Sequence, residues 1–171
     1  YDPLSLARHV EHALTQPFIY EDALVQHDGL WHSLQHHGSF SSTSKSETIN
    51  NINAGLQTMR RALQTADVII FTFGSAWYTE LRKDQQAITN THKIPASEFT
   101  KKLATIHQIT DSFLHIIPQI RLQNPKAIFV ISVSPVRYLR DGIEGNMRSK
   151  ARLIESAHTI CEALQQVHYF P

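Results

Sequence analysis

The chain has 171 residues, with sixteen Lys and Arg against fifteen Asp and Glu. This length allows one ordinary domain that buries about 70% of its unfolded surface, and a net charge of +1 excludes the basic footprint of a sequence-independent nucleic-acid binder. Hydrophobic residues at 42% and charged residues at 18% exclude a disordered tail, and the single cysteine, Cys161, excludes an internal disulfide framework or a cysteine-rich zinc module.

Asp2-Pro3 reads as an N-cap followed by Pro at the first helical position. Leu4, Ala7, Val10, Ala13 and Leu14 then share one helical face, and the helix is expected to end before Pro17. Residues 17–45 keep no steady period and hold Trp31 and four of the eleven histidines. They are expected to form an irregular, insertion-like connection with short helical turns. Ser44 and Glu47 have capping-box spacing, and Ile49, Ile52, Leu56, Met59 and Leu63 behind them predict an amphipathic helix of about five turns. Val68–Phe73 is a short, β-branched apolar run that reads as a strand buried on both faces, stopped by Gly74. Within residues 77–91, Tyr78–Leu81 opposite Ile88-Thr89 suggests a small hairpin, and Pro95 ends that region.

Thr105 and Gln108 form a second capping box, followed by Ile106, Ile109, Phe113, Ile116 and Ile120 at helical spacing. Pro118 removes a backbone donor near the end of that helix, and Asn124-Pro125 breaks the chain. Ala127–Val133 is a second continuous apolar strand, closed by Ser134-Pro135. A helix over roughly 148–165 is expected to turn Ala151, Ile154, Ala157, Cys161 and Leu164 inward, and Val167–Phe170 reads as a third strand. Apolar strands alternating with amphipathic helices predict a parallel sheet with right-handed crossovers, in a three-layer αβα arrangement over a single domain spanning 1–171.

Open parallel sheets bind ligands beyond the carboxyl ends of their strands. That rule selects Gly74-Ser75-Ala76-Trp77 and Ser134-Pro135-Val136-Arg137, with the loop through Lys150. Ser75 is not in a G-x-S-x-G elbow and reads as a hydroxyl cap on a tight turn. Gly74 would let a backbone N–H approach a substrate oxygen. Arg137 and Arg140 suit a carboxylate or phosphate, with Asp141 expected to pair with one of them. Asn146 reads as a cap on the last helix, and Lys150, unfavourable at a helix start, needs a partner. Trp77 reads as a pocket floor or a plug on the end of the sheet. His92-Lys93 follows the hairpin and is placed to reach over the strand ends. His32, His36 and His37 approach metal-ligand spacing, but there is no H-E-x-x-H and no adjacent carboxylate, so no metal and no cofactor is expected. Cys161, on an apolar helix face, reads as an inert thiol.

Taken together, YDPLSLA (1–7), DGLWHS (28–33), HHGSFSS (36–42), ADVIIFTFGSAW (66–77), THKIPASEF (91–99), SPVRYLRDG (134–142), GNMRSKA (145–151) and YFP (169–171) resemble the GSCFA domain, a bacterial family named for a Gly-Ser-Cys-Phe-Ala motif. That family looks like a branch of the SGNH (GDSL-like) hydrolases, α/β esterases with a flavodoxin-like sheet. The resemblance implies a serine esterase acting on an acyl ester, possibly on a carbohydrate. It also implies that Gly74 stands at the Gly of the G-x-N-D block. Ala76 occupies the place of that block's oxyanion-binding Asn, Tyr78 follows Trp77 directly where the family usually has Trp-Val-Tyr, Thr91 replaces a frequent Cys, and Tyr138 a frequent His.

Neither the Gly-Ser-Cys-Phe-Ala motif nor a D-x-x-H block occurs in the chain, which starts at Tyr1 rather than Met. The nucleophile and its Asp/His support are therefore expected outside this sequence, which reads as incomplete at both ends. His36, Gly74, Ser75, Trp77, His92, Lys93, Arg137, Asp141, Asn146 and Lys150 are the residues expected around the pocket, in substrate contact, oxyanion binding or support. The expected partner is a small-molecule or carbohydrate ester, with no nucleic acid and no membrane. The oligomeric state and the compartment stay open, the bacterial cytoplasm being the working expectation. The alternative is a non-catalytic ligand- or glycan-binding domain.

Overall fold

The Asp2 carboxylate accepts the Ser5 N–H at 2.8 Å and Pro3 takes the first helical position, so helix α1 (Pro3–Thr15) begins where its sequence predicts. The computed structural model describes residues 2–171. Segment 17–45 is more ordered than its lack of period suggests. It contains a two-stranded antiparallel hairpin, β1 (Val25–His27) and β2 (Leu30–His32), besides two 3-10 turns. The turn between the strands is Asp28-Gly29, with φ of 47° and 74°. Positive φ at both central residues is the geometry that matches strand twist, and Asp-Gly is its sequence signature. Trp31 N–H then donates to Ser42 O at 2.8 Å and ties the hairpin to the start of α2 (Lys45–Thr65).

Ser44 Oγ caps α2 by accepting the Glu47 N–H, but the Glu47 carboxylate takes the Ser42 hydroxyl, so only half of that capping box forms. At α3 (Ile106–Gln123) both halves are present: Gln108 N–H to Thr105 Oγ1 and Thr105 N–H to Gln108 Oε1.

Strands β3 (Val68–Phe73), β7 (Ile128–Val133) and β8 (Val167–Phe170) form the expected parallel sheet, in the order β3-β7-β8. A second sheet lies between β3 and α3. Its central strand β4 (Trp77–Leu81) pairs antiparallel with β5 (Ala87–Ile88), as the hairpin reading expects, and with β6 (Phe99–Leu103), which the polar sequence Phe99-Thr-Lys-Lys-Leu103 conceals.

The crossovers β3 to β7 and β7 to β8 step the same way across the sheet. Right-handed connections then place α3 and α4 (Gly142–Ala163) on one face. On that face Phe113 of α3 meets Phe71 and Phe73, with ring centroids 5.3 and 4.8 Å apart, and His158 of α4 lies 4.5 Å from Tyr169. The other face is open: Val68, Ile70, Ile128 and Phe170 are 50%, 64%, 40% and 64% exposed. β3 is thus buried on alternate residues, not on both faces, and the described residues supply one helical layer over the sheet.

Helix α4 starts at Gly142, six residues before the position its periodicity suggests, and it buries Ser149, Leu153, Ser156, Ala157 and Ile160. Of the residues expected inside, Ala157 is buried, but Ala151 is exposed and Ile154 is 41% exposed. Both stripes have helical spacing. The one containing two serines wins because each hydroxyl finds a backbone partner, Ala76 N–H for Ser149 and Ile106 O for Ser156.

The Asn124 side chain joins α2 to the segment that follows α3. Its Nδ2 donates to Leu63 O at 3.0 Å and Ala66 O at 2.8 Å, satisfying carbonyls at the end of α2. Asn124→Ala leaves both without this donor and is expected to lower the unfolding free energy by about 2 kcal/mol in urea titrations. A loss below about 0.5 kcal/mol, within the range of an ordinary surface change, would show that the side chain is not a cap.

Candidate functional site

The carboxyl ends of β3 and β7 are joined by one side chain. Lys150 Nζ donates to Gly74 O at 2.7 Å and to Ser134 O at 2.6 Å. Lys150 lies more than two turns inside α4, so the helix start expected beside it is not there; its partners are the two carbonyls. Burial pushes its pKa below the usual lysine value.

The adjacent Ser149 fixes the turn after β3. Its Oγ accepts the Ala76 N–H at 2.8 Å and lies 3.3 Å from Ser75 Oγ, which accepts the Trp77 N–H at 3.1 Å. Ser75 therefore caps a tight turn, as its sequence context indicates. Ser149 escapes notice in the sequence because a serine in mid-helix carries no motif. Its place beside Lys150 is the only signal.

Trp77 closes this end of the molecule. Its Nε1 donates to Gly145 O at 3.3 Å, and Lys101 of β6 lies 5.1 Å above its ring. Lys101 also forms the ion pair with Asp141, whose side chain is almost wholly buried. The expected partners of Asp141 were Arg137 or Arg140. The structure substitutes Lys101 because β6 brings it alongside β4. Asn146 is likewise not a helix cap: it lies within α4, and its Oδ1 accepts the Tyr138 N–H at 3.0 Å. Arg137 is exposed and lines, with Ser134, Asn146, Lys150 and Tyr169, a shallow pocket of about 210 Å³.

His36 and His92 gather elsewhere, around Ser33, and Lys93 follows His92 in the chain. His36 Nδ1 lies 2.8 Å from Ser33 Oγ, and His92 Nε2 donates to Ser33 O at 2.8 Å. His92 stacks on His32 at 4.3 Å. His92 and Lys93 both take left-handed backbone conformations, with φ of 48° and 62°, while Asn90 Oδ1 accepts the His92 N–H. Lys93 is exposed. Among the described residues no hydrogen bond joins this cluster to the strand-end group.

The three histidines with metal-like spacing face different partners. His32 uses Ser41 Oγ and His27 O, His36 uses Ser33, and His37 uses Ser39. Among the described residues no three His, Cys, Asp or Glu side chains are placed to share a metal ion. Also among them, no helix is long and apolar enough to cross a membrane.

His36 is 5% exposed, and its pKa is lowered from the usual 6.5 to about 3, chiefly by burial and then by His9, His12 and His92. The folded chain keeps this ring neutral where the unfolded chain protonates it. Its contribution to stability is complete above pH 6.5 and is lost as the pH falls toward 3. Denaturant titrations between pH 6.5 and pH 4 are expected to show a share of the pH slope, up to about 1.4 kcal/mol per pH unit, that His36→Gln removes. An unchanged slope in the variant would mean that His36 is protonated in the fold.

Comparisons with curated proteins and with solved structures each found no match. The family model of the GSCFA family matches residues 1–171, the whole chain. The chain belongs to the GSCFA family.

Proposed function

We propose that this chain forms the strand-end frame of a GSCFA-type, SGNH-like serine esterase acting on an acyl ester of a small molecule or a carbohydrate. The observation that carries this reading is the Lys150 bridge between Gly74 O and Ser134 O, at the end of a parallel sheet where ligands bind. On this reading the nucleophile is the serine of Gly-Ser-Cys-Phe-Ala, which these 171 residues do not contain. That serine attacks the ester carbonyl, the alcohol departs, and water releases the acid.

The chain's own residues hold the frame around that chemistry. With Ala76 in place of the SGNH asparagine, no side-chain amide is available there as an oxyanion donor. Lys150 has three donor hydrogens and spends two on carbonyls, so the third can meet developing negative charge. Arg137 and Asn146 offer donors to the hydroxyls of a carbohydrate alcohol.

A second reading, a non-catalytic binding domain, is favoured by one observation. The Ala76 and Trp77 N–H groups, two and three residues past Gly74, are already bonded to the Ser149 and Ser75 hydroxyls. Both readings are tested on the intact protein that carries this chain. Hydrolysis of p-nitrophenyl acetate is expected, abolished when the motif serine becomes Ala. Lys150→Met is expected to cut kcat/KM about 10- to 100-fold, or about 1.4–2.7 kcal/mol, with the far-UV circular dichroism unchanged. Hydrolysis that survives loss of the motif serine, or saccharide binding without turnover, would overturn the esterase reading.

A further inference from the structure

The shallow pocket of about 210 Å³ at the strand ends carries a one-sided set of polar groups. Val133, Pro135 and Ile154 give it apolar sides, and Arg137, Lys150, Asn146, Ser134 and Tyr169 complete the wall. Two of these side chains are cations and none is a carboxylate.

Neither cation is neutralised within the chain. Among the described residues, neither Arg137 nor Lys150 has a carboxylate in ion-pair contact. The acids nearest to the pocket in sequence are engaged with other bases, Asp141 with Lys101 and Glu144 with Arg148. The Tyr138 ring, 5.5 Å from Lys150 Nζ, gives the ammonium a π face and no counter-charge. The lowered pKa of Lys150 agrees with this: burial strips water from its ammonium, and no anion of the chain offsets the loss.

The neutral groups of the wall add donors. Asn146 Oδ1 already accepts the Tyr138 N–H at 3.0 Å, while its Nδ2 carries two hydrogens. Ser134 Oγ accepts the Val136 N–H at 3.3 Å and keeps its own hydrogen to give. The Tyr169 hydroxyl donates as well. A carboxylate or a phosphate, which accepts hydrogen bonds and brings negative charge, matches such a wall better than an uncharged hydroxyl does.

We propose that this pocket takes an acidic group of the substrate, a carboxylate or a phosphate, with Arg137 as its direct partner and Lys150 as a second positive charge beside it. The proposal rests on the esterase reading and narrows its substrate to an ester that also carries an anion. Arg137 is exposed on the loop after β7, so replacing it removes no packing.

The test compares charged esters with capped, uncharged partners on the intact protein that carries this chain. p-Acetoxybenzoate and its methyl ester place the charge on the alcohol side. Mono-p-nitrophenyl glutarate and its methyl ester place it on the acyl side. p-Acetoxyphenyl phosphate and its dimethyl ester distinguish phosphate from carboxylate. Capping alters intrinsic reactivity, so the readout is how each member responds to Arg137→Gln. In at least one pair, kcat/KM is expected to fall about tenfold further for the charged ester than for its capped partner, or about 1.4 kcal/mol. Arg137→Lys is expected to recover part of that difference, and added salt to shrink it. The pair that responds names the anion and its side of the ester. Equal losses for charged and capped esters in all three pairs overturn the proposal and leave the esterase reading standing. No hydrolysis of any ester, capped ones included, overturns both.

Discussion

One ammonium group governs the end of the sheet. Neighbouring parallel strands diverge where their hydrogen bonds stop, and the loops leaving β3 and β7 have no ladder to hold them. Lys150, rising from α4, binds the first carbonyl beyond each strand, Gly74 O and Ser134 O. Ser149, one residue earlier, holds the Ala76 N–H. Two consecutive residues of one helix therefore set the geometry of the turn after β3 and, through it, the entry into β4. Trp77, the first residue of β4, reaches back to Gly145 of the same helix. The helix, both loops and the second sheet form one interlocked corner, and the Lys101–Asp141 ion pair closes its outer side.

That corner shows why part of the site is legible in sequence and part is not. Gly74, Ser75 and Lys150 stand out because the rule that ligands bind at strand ends needs only the strands, and continuous apolar runs give those away. The partners do not stand out. Asp141 looks paired with Arg137 or Arg140 because both are near in sequence, whereas Lys101 comes from β6, whose exposed lysines mask its strand character. Asn146 looks like a cap only while the helix is thought to begin after it. Glycines and polar residues in the first turns of α4 weaken its periodicity there, and the true start at Gly142 changes the roles of both Asn146 and Lys150.

The fold divides in the same way. The helices with caps and strong apolar stripes, α1, α2 and α3, fall where their sequences put them, and so do the three parallel strands. The hairpin at Asp28-Gly29 is hidden by its length, since two three-residue strands are too short for alternation to register. On the inner side of α4, Ala157, Cys161 and Leu164 lie where their spacing puts them, whereas Ala151 and Ile154 face outward and Ser149 and Ser156 turn inward to hydrogen-bond partners. β3 carries apolar residues on both faces, a pattern suited to burial on both. The helices of this chain meet that demand on one face only, and Val68, Ile70, Ile128 and Phe170 lie on the other.

The strand ends and the histidine cluster around Ser33 differ in how completely their polar atoms are satisfied. Around the strand ends, the hydroxyls of Ser75 and Ser149 and the carboxylate of Asp141 have partners, and Lys150 spends two of its three ammonium hydrogens; rigidity is what such bonding produces. His92 is satisfied too: it donates to Ser33 O and stacks on His32, and its left-handed backbone is held by Asn90. His36 is the exception. Burial keeps its ring neutral, Ser33 Oγ meets one nitrogen, and the other has no hydrogen-bond partner in the protein.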